Sequence, residues 1–132
     1  MIKRKTMSNL EIFNTATALI EAFQKESEET HFPVKVNFFL QKNMTSIIEM
    51  AQELEKSRTE IIKKFGEPTE GDENKVSIPP EKVDEATKEL EDLFDLEQEV
   101  PVNMLELDWF DGIDMTAQQV SAIAYMINEN EE

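Results

Sequence analysis

Leu40, Met44, Ile47, Ala51, Leu54, Arg58, Ile61 and Phe65 follow one another at alternating intervals of four and three residues. That is the repeat of a helix with one buried face. Ile48 and Ile62 broaden the stripe, and only Arg58 interrupts it. Gly66 is expected to close the helix as a left-handed C′ residue, and Pro68 prevents its continuation. Just upstream, Val34-Lys35-Val36-Asn37-Phe38 alternates like a short strand, yet Pro33 equally suits the first position of a helix. Residues 33–39 stay open between the two.

A first helix is predicted near residues 9–25. Phe13, Ala16, Ile20 and Phe23 form its stripe, Ile12 and Leu19 widen it, and Ser8 or Asn9 caps it with Glu11 in the first turn. Glu26 to Thr30 reads as a solvated connection. Glu67 to Lys75 holds Pro68, Gly71, Asp72 and Asn74 and reads as a loop. Val76-Ser77-Ile78 is a candidate short strand. Pro79-Pro80 then opens a helix near 80–94 that buries Val83, Ala86 or Thr87, Leu90 and Leu93-Phe94. Val100, Val102 and Met104 alternate with Pro101 and Asn103, a strand whose proline puts it at a sheet edge. Asp111-Gly112 is a turn. Thr116 with Gln119 makes a capping box for a last helix near 116–128 bearing Val120, Ile123, Ala124 and Ile127. The expected fold is a helix-dominated α+β domain. Four helices, with the second near 37–65, surround a small antiparallel or mixed sheet built from 98–106, with 76–78 as a candidate partner strand.

Composition narrows the chemistry. The chain has 132 residues, no cysteine and one histidine. The size suits a single domain spanning 1–132. Thiol nucleophiles, iron–sulfur clusters, thiolate zinc sites and disulfides are excluded, as is a metal centre built on several histidines of one chain. No apolar run reaches the roughly 20 residues of a bilayer span. The basic opening Met1-Ile2-Lys3-Arg4-Lys5 runs into polar residues, so no signal peptide is expected. These features point to the cytoplasm.

The 13 Lys+Arg and 29 Asp+Glu are distributed unevenly. Residues 1–66 carry ten basic and nine acidic side chains, whereas 67–132 carry three lysines and twenty acids, a net of −17. Clustered cations are what a phosphate backbone attracts, so direct nucleic-acid binding by the second half is not expected. An acidic surface instead steers a basic partner.

Enzymatic motifs are absent. The glycines Gly66, Gly71 and Gly112 are isolated and make no phosphate loop. His31 lacks a motif-marked serine or cysteine partner. Asp108, Asp111 and Asp114 surround Gly112, but aligning that glycine with the sixth position of a calcium loop puts Leu107, Trp109 and Gln118 where acids are required. No catalytic residue, cofactor or metal is assigned.

What remains is binding. Glu81, Glu85, Glu89 and Asp92 form the densest outward row on the third helix. Val100, Val102 and Met104 offer a strand edge, and Trp109-Phe110, ringed by acids, either anchors an interface or closes the core. Arg58, in an otherwise apolar seam, is expected to pair with an acid of the third helix or the strand and so fix how the two halves dock.

Several stretches carry a resemblance: Phe32-Pro33-Val34-Lys35-Val36, Gln41-Lys42-Asn43, and Glu55-Lys56-Ser57-Arg58 followed by Ile61-Ile62-Lys63-Lys64-Phe65-Gly66-Glu67. Glu99-Val100-Pro101-Val102 and Ile113-Asp114-Met115-Thr116 extend it. The layout resembles a family of small, acidic, uncharacterised proteins of tailed bacteriophages and prophages over the last hundred residues or so. The resemblance implies a phage setting, in the infected bacterial cell or the virion, but no activity, and it transfers no functional residue. The longer N-terminal helix departs from it. The expected function is therefore a non-enzymatic, phage-encoded interaction protein that binds a phage structural or host protein, as a virion or assembly accessory. The seam of residues 40–65 leaves self-association open. The alternative is an acidic inhibitor that mimics nucleic acid to block a host nuclease, polymerase or defence enzyme.

Overall fold

The computed structural model describes residues 2–23, 32–69 and 72–128. Its longest element is helix α2 (Val34–Phe65), 32 residues or about 48 Å at 1.5 Å per residue. Residues 34–39 are helical. Pro33 stands just outside as the cap residue, and its carbonyl accepts from Asn37 N at 2.9 Å. Val36, Leu40, Ile47, Ala51 and Leu54 are buried against α1 and β4 of the same chain. From Val36 to Leu54 the seam is thus used in the chain's own core. Gly66 ends the helix with φ −93° and ψ 166°. It is extended rather than left-handed, because the chain runs straight on into a strand.

That strand belongs to a segment expected as loop. β2 (Glu67–Thr69) and β3 (Asp72–Ser77) pair antiparallel, Glu67 opposite Ser77, with an irregularity between Pro68 and Thr69. The candidate strand 76–78 therefore finds its partner here and not in 98–106.

The partner of 98–106 is the basic N-terminus. β1 (Ile2–Ser8) pairs antiparallel with β4 (Glu97–Asn103) from Ile2 opposite Asn103 to Ser8 opposite Glu97. No side chain of β1 is fully buried, so no alternation marks the strand in the sequence. Lys5 Nζ also donates to the Tyr125 carbonyl at 2.5 Å.

Helix α1 (Asn9–Phe23) starts on a reciprocal box. Glu11 N donates to Ser8 Oγ at 3.1 Å, and Ser8 N to Glu11 Oε1 at 2.8 Å. Ile12, Ala16, Leu19 and Ala22 are its buried stripe, and Ile20 lies on the flank, exposed. Helix α3 (Val83–Asp95) follows a short 3-10 turn at Pro80–Lys82. It buries Ala86, half-buries Leu90, Leu93 and Phe94, and leaves Val83 outside.

Four α-helices and three two-stranded ribbons make the described part a helix-dominated α+β fold. The last helix is shorter than its sequence pattern suggests. α4 (Ala117–Ile123) begins on the expected capping box, Gln119 N to Thr116 Oγ1 at 3.0 Å and Thr116 N to Gln119 Oε1 at 3.1 Å. It then tightens into a 3-10 turn at Ala124–Met126 and extends as β6 (Ile127–Asn128). β6 pairs parallel with β5 (Leu105–Glu106), which takes the backbone that would have continued the helix. Val120 and Ala124, expected inside, are exposed, while Ala122, Ile123 and Met126 enter the core.

Candidate functional site

Three places hold the side chains that could recognise a partner: the outer face of α3, the aromatic pair Trp109-Phe110, and an apolar groove along α4. The first is built from the carboxylates of α3 and its flanks. Glu81, Asp84, Glu85, Glu91, Asp92 and Asp95 are exposed, and Glu97 and Glu99 prolong the acidic run into β4. Glu89 is half-buried and accepts from Lys64 Nζ of α2 at 2.8 Å. Lys88 reaches Asp92 at 4.0 Å. Among the described residues these are the ion pairs that touch α3, so most of its carboxylates face solvent without a basic neighbour in salt-bridge range.

The charge on α3 works against the helix that carries it. Asp84 and Glu85 in the first turn suit the positive end of the macrodipole, but the last turn contains no basic residue and ends on Asp92 and Asp95. Acids there oppose the dipole, at about 0.3–1 kcal/mol each. The orphan carbonyls at this end are instead met by α1. Asn9 Nδ2 donates to the Leu93 carbonyl at 2.7 Å, and Asn9 N to the Leu96 carbonyl at 2.8 Å. Gln98 Nε2 in turn donates to Asn9 Oδ1 at 2.7 Å.

Trp109 and Phe110, on a 3-10 turn at Leu107–Phe110, pack inwards. Trp109 stacks on Phe39 with centroids 6.4 Å apart, and Lys35 Nζ lies 4.2 Å from its ring centre. Phe110 meets Phe32 edge-on at 6.1 Å. The pair closes the core over the first turns of α2. It is also remote from the acidic row, because Phe39, which touches Trp109, and Lys64, which touches Glu89, lie about 38 Å apart along α2.

Two expected roles change. Val100, Val102 and Met104 are buried, so their side chains belong to the core and present no strand-edge surface. Arg58 does not bridge the halves. Its guanidinium reaches Glu55 of its own helix at 3.6 Å, with the arginine side chain 40% exposed. The seam tolerates it because the side chain is partly exposed and the head group reaches solvent. The bond that does tie α2 to α3 is Lys64–Glu89.

The groove was not singled out by sequence reasoning. Leu107, Phe110, Ile113 and Met115 form one wall, and Val120, Ile123, Ala124 and Ile127 the other, around a cavity of about 420 Å³. Leu107 is 68% exposed and Val120 52%. A signal did exist. From Met115 to Asn128 there is no charged residue, in a chain where 32% of residues are charged.

No three or more His, Cys, Asp or Glu side chains among the described residues converge as metal ligands, and Asp108, Asp111 and Asp114 are all exposed. His31 lies outside the described residues. Among those described, no helix is long and apolar enough to cross a membrane. Comparisons of this chain with protein-family models, with curated proteins and with solved structures returned no match.

Proposed function

We propose that this protein is a non-enzymatic binding domain that engages a basic face of another protein through the exposed carboxylates of α3 and the start of β4. The observation that carries this reading is the position of Asp92 and Asp95. They sit in the last turn of a helix whose dipole disfavours them, and that turn holds no basic residue. Lys88, one turn earlier, reaches Asp92 at 4.0 Å, but Asp95 has no basic partner among the described residues. A merely solvated face needs acids nowhere in particular and gains from lysines at this end. A face that recognises cations has reason to keep them. The phage setting comes from the sequence resemblance, in which the protein acts as an accessory of the virion or its assembly.

Affinity capture from phage-infected cells, followed by association kinetics with the captured partner, tests the reading. The variant replaces Glu81, Glu85 and Glu89 with Gln and Asp92 with Asn. Its association rate should fall, and the wild-type rate should drop steeply as salt shortens the Debye length towards about 8 Å. Dissociation should change less, since charges at a rim guide encounter more than they hold a complex. Equal association rates for both proteins across that salt range would refute the reading. Displacement of the partner by DNA would select the nucleic-acid mimic, and recovery of the protein from purified particles would select the virion accessory.

A further inference from the structure

We infer that the groove between the Leu107–Met115 segment and α4 is a second docking site, shaped for an amphipathic segment of a partner protein that carries Lys or Arg beside large apolar side chains. The inference rests on the binding-domain reading above and adds a place and a ligand chemistry to it.

The lining comes first. All eight groove residues are apolar, so the site offers none of the convergent polar side chains that orient a small molecule. It offers apolar contact, and its two most exposed members, Leu107 and Val120, stand open to solvent on opposite walls. Isolated exposed apolar residues are ordinary, whereas a contiguous set lining a concavity marks an interaction surface.

The rim decides the occupant. Asp108, Asp111 and Asp114 are exposed and alternate with the wall residues Leu107, Phe110, Ile113 and Met115 in the same segment. The other wall, Val120 to Ile127, carries no charged side chain of its own, and no Lys, Arg or His occurs in the sequence after Lys88. The groove is thus apolar within, with exposed carboxylates along its Leu107–Met115 side and the Lys5 ammonium held at the Tyr125 carbonyl beside the other. An occupant that fits both features has an apolar stripe flanked by cations on one edge, the pattern of an amphipathic helix laid into a groove.

Two rival occupants fit worse. The chain's own segments Gln24–His31 and Glu129–Glu132 contain no large apolar side chain. A second copy using the same face would bring two sets of Asp108, Asp111 and Asp114 together, a like-charge juxtaposition that interfaces avoid.

The test uses the full chain and three synthetic peptides. One carries leucine at helical three- and four-residue spacing with lysine between. The second has glutamate for lysine, and the third has serine for leucine. Methyl spectra follow Ile113, Val120, Ile123 and Ile127. The leucine–lysine peptide should shift these groups, and the other two should leave them in place. Val120→Ser and Leu107→Ser, at positions more than half exposed, should melt like the wild type yet bind that peptide about tenfold more weakly. Replacing Asp108, Asp111 and Asp114 by Asn should weaken it comparably. The α3 variant described above should associate with it more slowly at low salt yet give the same groove methyl shifts at saturation.

Failure of the groove methyls to shift, or equal binding by the serine variants, would overturn the groove. If the peptide binds the serine variants equally and is lost only in the α3 variant, the acidic-helix reading stands while the groove fails. If the captured partner binds the α3 variant as it binds the wild type but loses binding in Val120→Ser, the groove stands and the α3 reading fails. A dimer in sedimentation that Leu107→Ser dissociates would give the groove to a second copy and also overturn the inference.

Discussion

The side-chain amide of Asn43 takes the place of a neighbouring strand for Asn103. Asn43 Nδ2 donates to the Asn103 carbonyl at 2.8 Å, and its Oδ1 accepts from Asn103 N at 2.7 Å. Asn43 is 2% exposed and sits in the buried face of α2. β4 ends at Asn103 and β5 begins at Leu105, with Met104 alone between them, and this pair satisfies the backbone where the chain leaves one ribbon for the other. A buried amide is stable here because both of its polar ends are used.

Asn43→Leu should therefore destabilise the fold by about 2–4 kcal/mol, although leucine suits the helix and the core. It removes the partners of a backbone donor and acceptor at once. Chemical denaturation checks this, with an unchanged m-value and a lowered midpoint expected. A midpoint like that of the wild type would mean that Asn103 finds other partners.

Leu54→Asp and Arg58→Ala separate the two halves of the α2 seam. Leu54 is buried, and an unpaired carboxylate there should cost several kcal/mol, comparable with the stability of a whole small domain. Arg58 pairs only locally and at the surface, so its removal should change stability by less than about 0.5 kcal/mol. A cooperative melt of Leu54→Asp at the wild-type temperature would show that this face is not core.

Asp95→Asn should stabilise the protein by about 0.3–1 kcal/mol by relieving the negative end of the α3 dipole. The same change should slow association with the captured partner. Gained stability with weakened binding is the behaviour expected of a residue retained for function at the expense of the fold. A melting temperature that falls would remove the argument from the last turn of α3.

Tyr125 is the one tyrosine of the chain, so an alkaline absorbance titration reads a single group. Its hydroxyl is buried and finds no hydrogen-bond partner among the described residues, and burial pushes its pKa above the ordinary 10.0. The folded state then holds this proton more firmly than the unfolded chain does. The stability that the group contributes is complete below pH 10 and is lost as pH rises beyond it. Tyrosinate should appear together with alkaline unfolding. A reversible midpoint near 10 in the folded protein would contradict the burial. Tyr125→Phe deletes a buried, unpaired hydroxyl and should leave neutral-pH stability unchanged or slightly raised.

Elemental analysis of protein purified without chelator should find no stoichiometric zinc, iron or calcium. The chain has no cysteine, and no ligand cluster forms among the described residues. Calcium surviving gel filtration would make Asp108, Asp111 and Asp114 the first ligands to replace.

Local pattern by itself determined α2, because a 4-3 repeat over several turns can be buried only as a helix. It determined the Thr116–Gln119 box as well, since both partners lie within one turn. The acidity of the second half needs no structure at all. The inward side of β4 was not decided locally. Val100, Val102 and Met104 alternate whether that face meets solvent or core, and only packing against α2 put them inside. β1 was invisible for a related reason. None of its side chains is fully buried, and it is a strand because Glu97–Asn103, far away in sequence, supplies the backbone partners. Arg58 belonged to the stripe by spacing, but its head group reaches solvent and pairs within its own helix, with Glu55. The groove needed the tertiary structure most, because β6 must leave the helical path to pair with β5 before the two walls face each other. Spacing along one element specifies which side chains share a face, but what covers that face is set by chain that arrives from elsewhere.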